Sequence, residues 1–165
     1  MTTSKGREVH FYDYVNHPYE KVCSALRGDA PAVFQSATKA AASRAQSIAS
    51  QLRIGAGGIG IEADIRVSIK NIEVKDREGM STPTTRLELE WAAASMPCLF
   101  PLMKAGLSIY PITATETQLD FAGRYKPPLG PLGKAMNAMV GHRIAEASVQ
   151  RFVSDVAEYL RKVLR

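Results

Sequence analysis

Alternating apolar and polar residues along much of the chain predict a series of β-strands. Glu8–Val15 is rich in β-branched and aromatic residues, which is typical of a strand. From Ile61 to Ile69 every second residue is apolar, and Ile72 and Val74 continue the alternation in the opposite phase. A one-residue bulge near Lys70–Asn71 would keep all of these apolar residues on the same face of a sheet.

Three later segments are also extended in pattern, at residues 84–95, 97–111 and 115–125. The first and last of them have apolar residues on one face of the predicted strand: Leu87, Leu89, Trp91, Ala93, Leu119, Phe121 and Tyr125. Together with the earlier strands, these segments predict an antiparallel sheet of about six or seven strands.

Helical patterns flank the strands. Residues 16–52 predict two shorter helices after the first strand, since Gly28 ends one helix and Asp29 can cap the next. The alanine-rich part that begins at Asp29 is either one helix with a frayed end or two separate helical pieces. Residues 131–165, with proline only at the first position, predict one long helix of about 50 Å. This element order predicts an α+β fold, in which the sheet buries one face by curving around the long helix.

The three glycines Gly55, Gly57 and Gly60 have the G-x-G-x-x-G spacing of a dinucleotide-binding loop. That loop needs a strand before it and a helix after it, because the helix N-terminus holds the phosphates. Here a helical segment precedes the glycines and a strand follows them. The glycines therefore predict a hairpin turn, where positive φ angles are required, and no cofactor is expected.

Three stretches carry a resemblance to a known superfamily. They are EVHFYDYVNHPYEKVCSALRG, LSIYPITATETQLDFAGRY and KPPLGPLGKAMNAMVGHRIAEASVQRFVSDVAEYLRKVL. Nearly the whole chain, taken as one domain over residues 1–165, resembles the START-like helix-grip (SRPBCC) superfamily, in its polyketide cyclase/dehydratase and lipid-transfer-like branch. The resemblance implies a cavity between the sheet and the long helix that holds a hydrophobic or amphipathic molecule.

The long helix predicts where such a cavity lies. Its apolar stripe is bulky toward the C-terminus, whereas the N-terminal half of the stripe consists of alanines and one histidine, among them Ala138, His142 and Ala145. Small side chains leave room, so we place the pocket beneath these three residues and a solid core beyond them. Alternatively, the alanines let the helix lie close to the sheet with no void. The expected walls are strand residues: Leu89, Trp91, Leu107, Ile109, Phe121 and Tyr125.

His142 projects from the centre of the apolar stripe and has two interpretations. It is a core group hydrogen-bonded to a tyrosine or a carbonyl, or it is a ligand contact or general base. Met139 belongs to a second apolar patch on the same helix, which is covered by other elements, forms a homodimer face or borders the ligand entrance.

Composition narrows the classes of function. The net charge is +5, but lysines and arginines are interspersed with carboxylates, so no nucleic-acid partner is expected. Three histidines and two cysteines without ligand spacing predict no metal site. No apolar run reaches about 18 residues and no signal peptide is recognised, which predicts a cytoplasmic protein without an integral membrane span.

These observations favour non-covalent binding or transport of a hydrophobic small molecule, such as a lipid or a polyketide. His142, Tyr125 and Trp91 are the expected orienting groups. Two alternatives remain open at this point. The first is a polyketide cyclase or aromatase that uses the same cavity, with a histidine or tyrosine moving a proton. The second is a protein-interaction module that works through the second apolar patch of the long helix, which contains Met139.

Overall fold

The computed structural model of the protein describes residues 6–51, 65–73, 83–93, 103–125 and 138–165. In these residues five strands and two helices follow one another in the order β1 (Arg7–Val15), α1 (Tyr19–Gln51), β2 (Ile65–Glu73), β3 (Thr85–Ala93), β4 (Met103–Thr113), β5 (Glu116–Tyr125) and α2 (Ala138–Val163). The strands form one antiparallel sheet with the order β1-β5-β4-β3-β2. The α+β fold is as predicted, with five strands described against the six or seven expected for the whole chain.

The register of the sheet places residues of like character in rows across the strands. In the central row, Phe11 pairs with Phe121, and Leu107 lies between Phe121 and Leu87. These residues are on the inner face of the sheet, where the two helices pack. The neighbouring even-numbered residues of β1, β3, β4 and β5 lie on the outer face, which is rich in charged residues.

The predicted bulge in β2 is confirmed. Ile69 pairs with Leu89, whereas the next pair along the ladder joins Asn71 to Glu88, so Lys70 is the extra residue. Ile72 then pairs with Leu87. The bulge therefore returns the apolar positions of β2 to the same face as the leucines of β3, which is the physical reason for the phase slip in the sequence.

One continuous helix, α1, occupies the segment for which two shorter helices were expected. Its buried residues lie on one stripe that continues across the expected break at Gly28: Val22, Cys23, Leu26, Val33, Phe34, Ala37 and Ala41. Leu26 and Val33 are seven positions apart, which is about two helical turns, so the stripe stays in phase. Packing of this stripe compensates for the hydrogen bond that Pro31 cannot donate.

The C-terminal half of α2 forms the solid core that the sequence predicts. Its inner residues are fully buried: Val149, Phe152, Val153, Val156, Ala157 and Leu160. Phe152 lies at the centre, stacked on Phe34 with ring centroids 5.8 Å apart and edge-on to Phe121 at 5.9 Å. Helix α2 packs against α1 and β1, so the three aromatic rings join both helices to the sheet.

The two ends of the molecule differ in which elements they bring together. The start of α1 and the end of α2 lie at one end, where Arg161 donates to the Asp13 carboxylate and to the Tyr14 carbonyl. The start of α2 lies at the opposite end, beside the first residues of β1 and the last residues of β5. Neither of the helices described is long and apolar enough to cross a membrane.

Candidate functional site

The candidate site lies where β5 ends and α2 begins. Tyr125, the last residue of β5, is on the inner face of the sheet and only 3% exposed. The Tyr125 hydroxyl is 2.9 Å from Nδ1 of His142, in the second turn of α2. The two rings also stack, with centroids 6.2 Å apart and planes inclined by 24°. The histidine therefore has a tyrosine partner, as in the first interpretation of the sequence, at a place where the side chain remains partly accessible to water.

Glu146 contacts the other nitrogen of the imidazole ring. Its Oε1 lies 3.0 Å from His142 Nε2, one helical turn further along α2. An ionised carboxylate only accepts hydrogen bonds, so Nε2 carries the proton in this contact. In the neutral imidazole Nδ1 is then an acceptor, and the Tyr125 hydroxyl donates to it. The contacts thus define one direction of donation, from the phenol to the imidazole and from the imidazole to the carboxylate.

Burial raises the pKa of Tyr125 above the ordinary value of 10.0. Arg7, which is paired with Tyr125 across the β1–β5 ladder, lowers this pKa by its charge and a hydrogen bond, while the Glu146 charge raises it. The net direction is upward, so the phenol keeps its proton at neutral pH and acts as a donor. Arg7, Tyr125, His142 and Glu146 form a polar cluster, which we call the Tyr125–His142 cluster.

Most of the other predicted site residues lie in or beside the central core. Leu107, Ile109 and Phe121 are fully buried, and Leu89 is nearly so. Ala145 is half-buried and packs against the same core. The side chains of Trp91, Ala138 and Met139 lie outside the described part of the structure. Contact of any of these residues with a ligand stays a prediction, as does the pocket beneath Ala138, His142 and Ala145.

A half-open hollow of about 990 Å³ lies beside the first residues of β1 and the last residues of β5. Gly106 and Ala122 form part of its floor, and most of the surrounding residues belong to the polar outer face: Glu8, His10, Arg86, Glu88, Glu90, Lys104 and Arg124. It also reaches Leu89 and Tyr125, but His142 and Ala145 are not among the described residues that line it. This hollow is not predictable from the sequence, because the charged residues that line it alternate with core residues, as they do on any solvated strand face.

A second polar cluster on the outer face is centred on Asp120. His10 Nε2 contacts one carboxylate oxygen, while the Tyr110 hydroxyl donates to the other at 3.4 Å and accepts from Gln118 Nε2 at 2.8 Å. Burial raises the pKa of Tyr110, and the Asp120 charge raises it further. His10 lies in the strand that the sequence predicts over Glu8–Val15, but its contact with Asp120 is not predictable from local pattern because the two residues are 110 positions apart in the chain.

A third polar contact lies at the start of α1. The Tyr19 hydroxyl is 2.6 Å from the Thr85 hydroxyl, and Cys23 Sγ is 3.5 Å from the same oxygen. An adjacent hollow has a volume of only about 10 Å³, which is too small for an organic ligand. We interpret this contact as structural. Within the described ranges no group of three or more histidine, cysteine or carboxylate side chains is arranged to hold a metal ion.

Comparison with known proteins supports the fold. No protein-family model matches the chain, and no curated protein matches it in sequence. The structure is similar to that of a hypothetical protein of Helicobacter pylori, with a TM-score of 0.53, 11% identity and coverage of 98% of this chain and 92% of that chain. Less similar structures include the Zhui aromatase/cyclase of Streptomyces sp. R1128, with a TM-score of 0.44, 13% identity and coverage of 96% of both chains. Ara h 8.0201 is likewise less similar, with a TM-score of 0.44, 9% identity and coverage of 94% of this chain and 98% of that chain. The chain has an α+β fold of the helix-grip kind, in which an antiparallel sheet packs on a C-terminal helix.

Proposed function

We propose that the protein binds a hydrophobic or amphipathic small molecule between the sheet and the start of α2, with the Tyr125–His142 cluster at its polar end. The observation that carries the proposal is the hydrogen-bonded pair of Tyr125 and His142 at the edge of an apolar interior. The phenol is almost fully buried, whereas the histidine side chain is 34% exposed. A molecule entering at this end would meet the imidazole first and the phenol behind it.

Apolar burial is the expected source of affinity. A ligand that buries about 300 Å² of apolar surface gains roughly 7 kcal/mol at about 25 cal/mol per Å². Association and ordering costs offset part of this gain, so micromolar dissociation constants are the expected range. One or two polar groups would then fix the orientation of the ligand, which is the role we give to Tyr125 and His142.

The test is native mass spectrometry of the protein purified from its own host, looking for a co-purified small molecule. We expect an adduct on the original protein and on the His10→Ala variant, which removes a histidine from the outer face. We expect loss or weakening of the adduct in His142→Ala and Tyr125→Phe. An adduct that survives both changes undiminished would place the ligand elsewhere. Absence of any adduct, together with no binding of hydrophobic probes, would overturn the proposal.

A cyclase or aromatase activity at the same site is the second candidate. The observation that favours it is the chain Glu146–His142–Tyr125, in which a carboxylate orients an imidazole that contacts a phenol. Such an arrangement is suited to moving a proton to or from a bound carbonyl compound. An enzyme requires pH-dependent turnover that His142→Gln abolishes, whereas a binding protein shows altered affinity without turnover. A homodimer and a cytoplasmic location remain predictions beside either role.

A further inference from the structure

The Tyr125–His142 cluster also restricts the kind of ligand. We propose that the ligand is an amphipathic acid whose oxyanion is bound by the Tyr125 hydroxyl, and that its binding is accompanied by uptake of one proton on His142. This inference rests on the proposed function, because it specifies the chemistry of the ligand at the same site. It follows from the hydrogen-bonding capacity of the cluster in its two protonation states.

With a neutral imidazole, the Tyr125–His142 pair has no donor to offer a ligand. The Glu146 carboxylate fixes the proton on Nε2, and the Nδ1 lone pair accepts the only hydroxyl proton of Tyr125. The opposite tautomer would direct the unprotonated Nε2 at a carboxylate oxygen 3.0 Å away, with no proton between the two acceptors. In the neutral state the Tyr125–His142 pair itself is therefore closed to a hydrogen-bond acceptor.

Protonation of His142 reverses the contact with Tyr125. Both ring nitrogens then carry protons, so Nδ1 donates to the Tyr125 oxygen while Nε2 keeps its bond to Glu146. The hydroxyl proton of Tyr125 must turn away from the ring and becomes a free donor. The same phenol that was occupied in the neutral state now presents a proton to an acceptor atom on the ligand.

The charge of the cluster changes in the same direction. Protonation of His142 adds one positive charge beside the phenol to that of Arg7, while Glu146 supplies one negative charge. The described charged groups around the imidazole are Glu146 and exposed Arg143 on α2 and Arg7 on β1, while Arg124 is directed to the outer face and paired with Glu8. An oxyanion is the ligand group that uses both the free donor and the net charge.

Proton uptake and binding are reciprocal, because each favours the same state of the cluster. Histidine side chains change charge between about pH 5 and pH 8. The affinity for an acid that is ionised throughout this range should therefore rise as the pH falls, by at most about tenfold per pH unit for one proton. A neutral molecule of the same shape gains no such advantage.

Two fluorescent probes with the same aromatic framework test the inference. One is 1-anilinonaphthalene-8-sulfonate, whose sulfonate stays ionised, and the other is neutral N-phenyl-1-naphthylamine. We expect the affinity for the sulfonate to rise at least fivefold from pH 8.5 to pH 6.0, and the affinity for the neutral probe to change less than twofold. His142→Gln should abolish the pH response of the sulfonate, and any change that it causes in the affinity for the neutral probe should be the same at both pH values. His10→Gln, the matched control on the outer face, should change neither.

Imidazole nitrogen chemical shifts of the unsubstituted protein provide a second measurement that does not depend on a variant's folding. We expect the Nε2-protonated tautomer of His142 in the free protein at pH 7.5 and the doubly protonated ring when the sulfonate is bound. Equal pH responses for the two probes, or a response that persists in His142→Gln, would overturn the inference and leave the proposed function standing. If neither probe binds, both the inference and the proposed function are wrong.

Discussion

Two glycines on neighbouring strands provide a matched test of how the end of the sheet near Tyr125 is packed. Gly123 of β5 is on the inner face and Gly106 of β4 is on the outer face. A Cβ atom at Gly123 would lie 3.1 Å from Met103 Sδ, 3.1 Å from Phe121 Cε1 and 3.2 Å from Ala105 Cβ. All three distances are shorter than ordinary van der Waals contact, so Gly123→Ala forces at least one neighbour to move.

The neighbours of the two glycines differ in their freedom to move. Phe121 is fully buried and packed edge-on to Phe152, so a shift of its ring disturbs the centre of the core. We expect Gly123→Ala to destabilise the protein by about 1–3 kcal/mol, as overpacked cores do. At Gly106 a Cβ would lie 2.7 Å from the end of the exposed Arg86 side chain, which can swing into water. There the gain of about 0.5–1 kcal/mol from replacing a strand glycine should outweigh the cost.

Urea denaturation followed by circular dichroism measures both variants against the original protein. Gly28→Ala in α1 is a suitable control, because no atom lies within 4 Å of its added Cβ, and it should stabilise the helix by about 0.5–1 kcal/mol. Equal stabilisation by Gly123→Ala and Gly106→Ala would refute the reasoning. It would mean that the inner face above Gly123 has free volume, and that the ligand space proposed beside Tyr125 extends over this row of the sheet.

Three further predictions concern the core and its polar contacts. Phe152→Ala should lower the free energy of unfolding by about 3–5 kcal/mol, because it leaves a cavity among stacked rings, and urea midpoints at an unchanged slope will measure this loss. Thr85→Val should cost about 0.5–1.5 kcal/mol in the same assay by removing the hydrogen bond between the Thr85 and Tyr19 hydroxyls, whereas Thr85→Ser should restore most of the stability. Burial raises the pKa values of Tyr110 and Tyr125 in the folded protein, so the unfolded chain loses these two phenol protons at a lower pH. The two tyrosines should therefore leave the free energy of unfolding unchanged below pH 10.0 and lower it above pH 10.0. Thermal unfolding between pH 8 and pH 11 should show a smaller alkaline loss when either tyrosine is replaced by phenylalanine, and an unchanged loss would contradict the assignment.

Much of the fold is predictable from the sequence because strand patterns are local. Alternation identifies β3 and β5 with their inner-face residues, and the phase slip predicts the bulge near Lys70–Asn71, where the register of β2 and β3 shifts. Helix α1 shows the limit of local patterns. Gly28 and Pro31 indicate a break, yet the buried stripe on either side of them stays in phase and packs as one surface. Tertiary packing outweighs a local helix-breaking preference when it aligns enough apolar residues.

The candidate site is predictable only in part. The sequence identifies Tyr125 and His142 separately, from a strand face and a helix stripe. Their contact depends on where α2 crosses the sheet, which no spacing in the chain specifies. The same reason explains why the alternation alone does not say whether Leu107 and Phe121 lie beneath a helix or beside a cavity, since every inner-face residue has the same alternation in either case.

The position of the Tyr125–His142 cluster along α2 explains how a buried phenol can remain linked to solvent. The central part of the helix lies over fully buried rings, where a charged imidazole would be costly to place. Near its start the helix leaves this core, so His142 is partly exposed and its partner Glu146 is 60% exposed. A proton can therefore reach the imidazole from water while Tyr125 stays buried. Protonation of His142 then changes the hydrogen bonding of the buried phenol through the contact between the two side chains. If His142 were instead sealed, its imidazole nitrogen signals would not respond to pH in the ligand-free protein, and the proposed coupling between protonation and ligand binding would have no route.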